Sequence, residues 1–153
     1  MIPAWIQVMC IAMLPVIETR GALPLGILAY KLPTFVAFAA SVIGNLVPVP
    51  FIYLTLPIAL RSLERVSPRF HAFMQTYFHA VKEKHRKSFE TASAVAIFVF
   101  VVAPFPGTGM WTATLLSVLF GIPFAVAFPA IALGVLVSAL AILAVTTGGI
   151  ALF

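Results

Sequence analysis

Long apolar runs, each cut by proline or glycine, lie on both sides of one polar stretch. Met1 to Ile17 is apolar apart from Gln7, with Trp5 near its start as a candidate interfacial anchor. As a helix its 17 residues would reach about 25 Å, slightly under a full hydrocarbon core. The stretch Pro15 to Gly26 then puts a carboxylate, a guanidinium and Gly/Pro breaks into the apolar run, with Glu18-Thr19-Arg20-Gly21 read as the interruption itself. Gly21 to Lys31 predicts a second helical piece, too short to cross a membrane alone, and Leu32-Pro33 stops it because a residue before proline avoids the α region. Thr34 to Leu60 runs without a charge and is long enough to span with some tilt, although Gly44-Asn45, Pro48, Pro50 and Pro57 interrupt it.

Arg61 to Glu90 is the polar region. Ser67-Pro68 reads as an N-cap with proline at the first helical position. Phe70, Phe73, Met74, Tyr77, Phe78 and Val81 then fall at helical spacing on one face, with His71, Gln75, His79 and Lys82 on the other. Lys82, Lys84, Arg86 and Lys87 crowd its end, where cations favour the helix dipole. The pattern predicts an amphipathic helix lying on the membrane surface against anionic headgroups.

Beyond it, Thr91 to Ala103 is apolar and ends in Pro104-Phe105-Pro106-Gly107-Thr108-Gly109, a segment almost without helix formers. Met110 to Phe120 resumes as a short helix carrying Trp111, Thr112, Thr114 and Ser117, and Gly121-Ile122-Pro123 stops it. Phe124 to Phe153 predicts a final long helix, with Pro129, Gly134 and Ser138 inside it.

Composition decides the class. Of 153 residues, 63% are hydrophobic and 8% charged, with a mean hydropathy of +1.16; soluble domains hold about 25% charged residues. The chain is read as an integral membrane protein. Seven of its nine basic residues lie between positions 61 and 87, which places that connection in the cytoplasm by the positive-inside rule. No charge precedes Glu18, so the N-terminus lacks the basic region of a cleavable signal peptide, and the first segment is expected to be retained. Cys10, the single cysteine, forms no internal disulfide and reads as a small buried hydrophobe. His71, His79 and His85 match no ligand spacing and read as solvated. No metal or cofactor is expected.

The two halves repeat one order: short helix, break, short helix, proline stop, long helix. An offset of 90 residues pairs Pro33 with Pro123, Ala37 with Ala127, Phe38 with Phe128 and Gly44 with Gly134. If each broken segment dips into the bilayer and returns, each half crosses once, and the second half is inverted relative to the first. The fold class expected is therefore an all-α integral membrane protein forming one transmembrane domain. It would consist of inverted repeats 1–60 and 91–153, each a re-entrant helical hairpin plus one long transmembrane helix. The cytoplasmic amphipathic linker 61–90 would join them, with both termini outside. The breaks would meet near the midplane, with half-helix N-termini at Gly21 and Met110 presenting free N–H groups to an anion. The competing reading keeps Met1 to Lys31 as one kinked helix with Glu18 and Arg20 at the far interface. At about 46 Å that helix would overrun the bilayer.

Three segments carry a resemblance: Glu18 to Gly26, Gly44-Asn45 with Pro48-Val49-Pro50-Phe51, and Pro104 to Thr112. Together they resemble the family of small multidrug export proteins, over essentially the whole chain. Family members tend to have a small residue where Met110 stands and basic residues where Phe124 and Ala125 follow the second proline stop. The family is in turn similar to DedA/VTT membrane proteins. That resemblance implies two re-entrant hairpins, movement of polyprenyl-phosphate or other lipids, and Glu18 and Arg20 as the ionisable groups of a shared site.

The function expected is a small membrane transporter with a midplane site between two hairpins, moving an anionic lipid or amphiphile. Its substrate-binding or coupling residues would be Glu18, Arg20, Gly21, Pro24, Asn45, Pro104, Pro106, Gly107, Thr108, Gly109, Trp111 and Thr112. Arg20 with helix N-termini suits an anionic headgroup better than a cationic drug. Asn45 also has a plainer reading, as an interhelical hydrogen-bond partner. Membrane lipids, protons as a coupling ion and a second copy of the chain are the partners this reading admits; nucleic acid is not. The alternative is a structural or assembly membrane protein, with Glu18 and Arg20 as a buried ion pair. A channel lacks a continuous polar path. An enzyme is not expected, because all three histidines fall in the linker and no nucleophile–base pair stands out.

Overall fold

The computed structural model describes residues 2–66, 86–105 and 107–152. The described residues form helices and no strand: α1 (Ala4–Ala12), α2 (Glu18–Leu28), α3 (Thr34–Leu46), α4 (Pro48–Val66), α5 (Arg86–Val102), α6 (Met110–Leu119) and α7 (Phe124–Leu152). The expected amphipathic helix after Ser67 lies outside the described residues.

Two runs, Thr34–Leu60 across α3 and α4 and Phe124–Gly149 in α7, are long and apolar enough to cross a membrane. Large hydrophobic side chains stand exposed along both, among them Phe35, Phe51, Leu54, Ile58, Leu140 and Val145. A surface of that kind is not stable against water but is the expected face toward lipid.

The first break does not lie where the sequence pattern places it. Met1 to Ile17 is not one helix: α1 closes at Ala12, and Met13–Ile17 form a turn around Pro15. Proline disfavours the α conformation in the residue before it and has no N–H to continue the ladder; at Pro15, unlike at Pro24, Pro57 and Pro129, the helix does not continue, and the chain breaks here rather than at the charged residues. The second helix accordingly starts at Glu18 and not at Gly21, so Glu18, Thr19 and Arg20 occupy its first turn. Cys10 is also a correction: it is exposed on α1 rather than buried. The other boundaries fall close to expectation. Helices begin immediately after Pro33 and Pro123, and α6 begins at Met110.

Packing repeats between the halves. In each, the first helix lies against the long one, α1 on α3 and α5 on α7, and α2 also packs on α7 while α6 packs on α4. Glycine makes both close crossings possible. A Cβ at Gly44 would overlap the Met9 carbonyl of α1, and one at Gly134 would overlap the Val101 side chain of α5. The interiors are correspondingly rich in small residues. Val8, Ala12, Ala22 and Ala40 fill one cluster, while Ala113, Ala127, Ala130, Ile131 and Val135 belong to the larger one. Small residues let backbones approach, which is how helices gain packing energy in lipid. The turn before α7, where basic residues are absent, is held by aromatic contacts: Phe124 meets Tyr53 edge-on at 5.2 Å and stacks on Phe128 at 5.0 Å.

Candidate functional site

The helix breaks 13–17 and 103–109 face each other, and α2 bridges them from its first turn. Glu18 begins that turn with φ at 49°, in the left-handed region that side chains normally avoid. This conformation comes with a buried carboxylate, 7% exposed, directed at the start of α6. There Oε1 accepts the Trp111 backbone N–H at 3.3 Å. Gly109, the N-cap of α6, offers no side chain, and its own φ of 151° suits glycine. A Cβ at position 109 would fall inside the Glu18 carboxylate. A carboxylate from another helix therefore serves as the cap that α6 lacks, where free N–H groups and the positive end of the dipole favour negative charge.

Arg20 does the opposite at the other end of the same break. Pro104 ends α5 and leaves its last carbonyls without helical donors. The guanidinium takes them up: Nη2 donates to Ala103 O at 2.6 Å and Val101 O at 3.3 Å, and Nη1 donates to Phe105 O at 3.1 Å. The Thr108 hydroxyl turns back on the same group, 2.6 Å from Ala103 O and 2.7 Å from Phe105 O, and accepts from Arg20 at 3.4 Å. A cation at a helix C-terminus is favoured, and the planar fork of arginine reaches several oxygens at once. One turn of α2 thus places an acid on the N-terminus of α6 and a base on the C-terminus of α5. Glu18 and Arg20 form no ion pair with each other; each is engaged across the interface.

Trp111 completes the junction from the second half by donating its indole N–H to Met13 O, at 3.0 Å, inside the first break. Behind Glu18, Asn45 donates to Thr19 Oγ1 at 2.8 Å, so its interhelical role is realised. Of the expected site residues, Glu18, Arg20, Thr108, Gly109 and Trp111 meet at this junction, with Pro104 ending α5 beside it. Gly107 is exposed, with nothing near where a Cβ would sit. Pro24 lies further along α2, and Thr112 is half-buried in α6. Gly21 faces Ile17 at the first break. Pro106 lies outside the described residues.

Sequence reasoning missed the backbone carbonyls of Val101, Ala103, Phe105 and Met13, because their identity as partners depends on which chain end reaches them. It also missed Ser41 and Thr19. Ser41 and Asn45, four apart in an apolar helix, share one face, and that spacing was the available signal.

No curated protein and no solved structure matches the chain significantly. A family model, described as "Putative small multi-drug export protein", matches residues 18–141, a span that begins at Glu18 and contains Arg20, Thr108, Gly109 and Trp111 but not the first break at 13–17. The chain therefore belongs to that family of small multi-drug export membrane proteins.

Proposed function

We propose that this protein is a membrane transporter whose substrate site is the junction of the two helix breaks, and that its substrate is an anionic lipid or amphiphile. The observation that carries the reading is the double engagement of α2. Glu18 caps the N-terminus of α6, and Arg20 caps the C-terminus of α5. Both ionisable groups are thereby held inside an otherwise apolar chain, where charges mark substrate or ion pathways. An anionic group entering the junction would find the two things it binds best, a helix N-terminus and a guanidinium, each held by an internal surrogate. Proton uptake by Glu18 would release the α6 N-terminus to such a group, which couples protons to substrate.

The paired order of elements, the glycine crossings at Gly44 and Gly134, and the proline stops at 33 and 123 support two inverted repeats with re-entrant breaks. The basic residues between 61 and 87 support a cytoplasmic linker with both termini outside.

The test is transport in liposomes, comparing wild type with Glu18→Gln and Arg20→Gln, using a fluorescent anionic phospholipid and a cationic dye in parallel. Loss of anionic lipid movement in both variants, with folding retained, supports the proposal. Wild-type movement of the dye alone overturns the choice of substrate. A second reading, a structural protein, draws on the same hydrogen bonds, since they also tie the halves together. It predicts that the variants lose stability and that no wild-type transport is seen.

A further inference from the structure

Three polar side chains are buried together where α2 meets α3: Thr19 at 2%, Ser41 at 0% and Asn45 at 2% exposure. Asn45 Nδ2 donates to Thr19 Oγ1 at 2.8 Å, and the Thr19 hydroxyl reaches the Ser41 carbonyl oxygen at a long 3.5 Å. The contact to that carbonyl is at the limit of a hydrogen bond, whereas the Asn45 amide N–H on Thr19 is at an ordinary distance. Asn45 Oδ1 is left without a donor, and Ser41 Oγ has no partner either. Buried polar atoms are almost always satisfied, so two in one cluster require an explanation.

The fold does not require polarity there. The positions 90 residues on are Ile131 and Val135, at 0% and 1% exposure, which pack the corresponding face of α7 with hydrocarbon alone. Among the described residues the oxygen surplus thus belongs to one half only. It lies beside the first break, where the Met13 amide bonds Cys10 O at 3.2 Å instead of Met9 O, and Met9 O lies against Gly44 of α3. A guest in this cluster must be small and must bring positive charge or hydrogen-bond donors. Among the described residues no group of three His, Cys, Asp or Glu exists to hold a transition metal. Amide, hydroxyl and freed backbone oxygens at a broken helix are instead the ligands of an alkali cation. Glu18 and Arg20, on either side of Thr19, carry opposite formal charges and are both engaged elsewhere, so they impose no net repulsion.

We infer that Thr19, Ser41 and Asn45 bind a small monovalent cation of the sodium class. The inference does not depend on the transport reading, because the cation would bind whether or not a substrate moves. The test uses the purified full-length protein in detergent, with sodium ion as the probe. Sodium is titrated by calorimetry, and the unfolding midpoint is followed as sodium replaces choline at constant ionic strength. Saturable heat and a sodium-specific rise in midpoint are expected. Ser41→Ala and the double variant Ser41→Ala/Asn45→Val should weaken the apparent sodium affinity by roughly tenfold or more, while Thr146→Val, near the far end of α7, should not. If the double variant does not fold, Ser41→Ala and the wild-type titration decide. No sodium-dependent heat, equal stabilisation by choline, or an unchanged affinity in Ser41→Ala overturns the inference. A buried water in place of the ion would give the first of these results.

Discussion

The carboxylate of Glu18 occupies the volume that a side chain at Gly109 would fill. The two positions belong to different halves of the chain, and neither tolerates the other's enlargement. Gly109→Ala would place a methyl group against the carboxylate and strain a backbone held at φ 151°. A loss of about 2–4 kcal/mol is expected, the sum of a close contact and an unfavourable conformation. In a double-mutant cycle, Glu18→Ala should restore the steric part of that loss, so the two effects will not add. Unfolding in detergent measures it.

Arg20→Lys keeps the charge but not the fork. An ammonium cannot reproduce the in-plane donation to Val101 O, Ala103 O and Phe105 O. About 1–3 kcal/mol should be lost, and Arg20→Gln should cost at least as much. Equal stability of Arg20→Lys and wild type would show that charge alone holds the end of α5.

The two glycine crossings differ in what they press against. At Gly44 the obstacle is the Met9 backbone, whereas at Gly134 it is mainly the Val101 side chain. A side chain can rotate and a packed helix backbone cannot, so Gly44→Ala should destabilise more than Gly134→Ala, by about 1–3 kcal/mol. Gly148→Ala, with open space around it, should be neutral or stabilise by up to about 1 kcal/mol. Comparison of the three unfolding midpoints tests the order.

Trp111→Phe removes the indole donor to Met13 O while keeping an aromatic ring. The expected loss is about 0.5–2 kcal/mol, the range of interhelical hydrogen bonds in membranes. A variant as stable as wild type would mean that Met13 O finds another donor.

Cys10 is the chain's single thiol and is exposed on an apolar helix. In membranes it should react with a lipid-soluble maleimide and resist a membrane-impermeant one added from either side. Rapid labelling by the impermeant reagent would place α1 in water instead of lipid.

The proline stops at 33 and 123, the short helix from Met110, the long apolar runs and the breaks around 104–109 could all be read directly. Each follows from local chemistry: clustered prolines and glycines disfavour the helix, although Pro24, Pro57 and Pro129 are accommodated inside helices, and a long uncharged run favours lipid. The first break was misplaced because two candidate interruptions lay side by side. Charges at 18 and 20 looked like the disruption, while Pro15 was the one with a steric cause. Cys10 was misjudged because an apolar neighbourhood says nothing about which side of a helix faces lipid when every side is apolar.

By itself the sequence determined that this is an apolar, helical membrane protein with two similarly ordered halves, an acid and a base near the first interruption, and one basic connection. Tertiary structure alone decided what the acid and base do. Their partners are backbone groups 81 to 93 residues away, and every residue except proline carries the same backbone groups. Which amide is left without a carbonyl, and which carbonyl without an amide, depends on where helices from the other half stop in space. That relation has no trace in the order of side chains until the chain is folded.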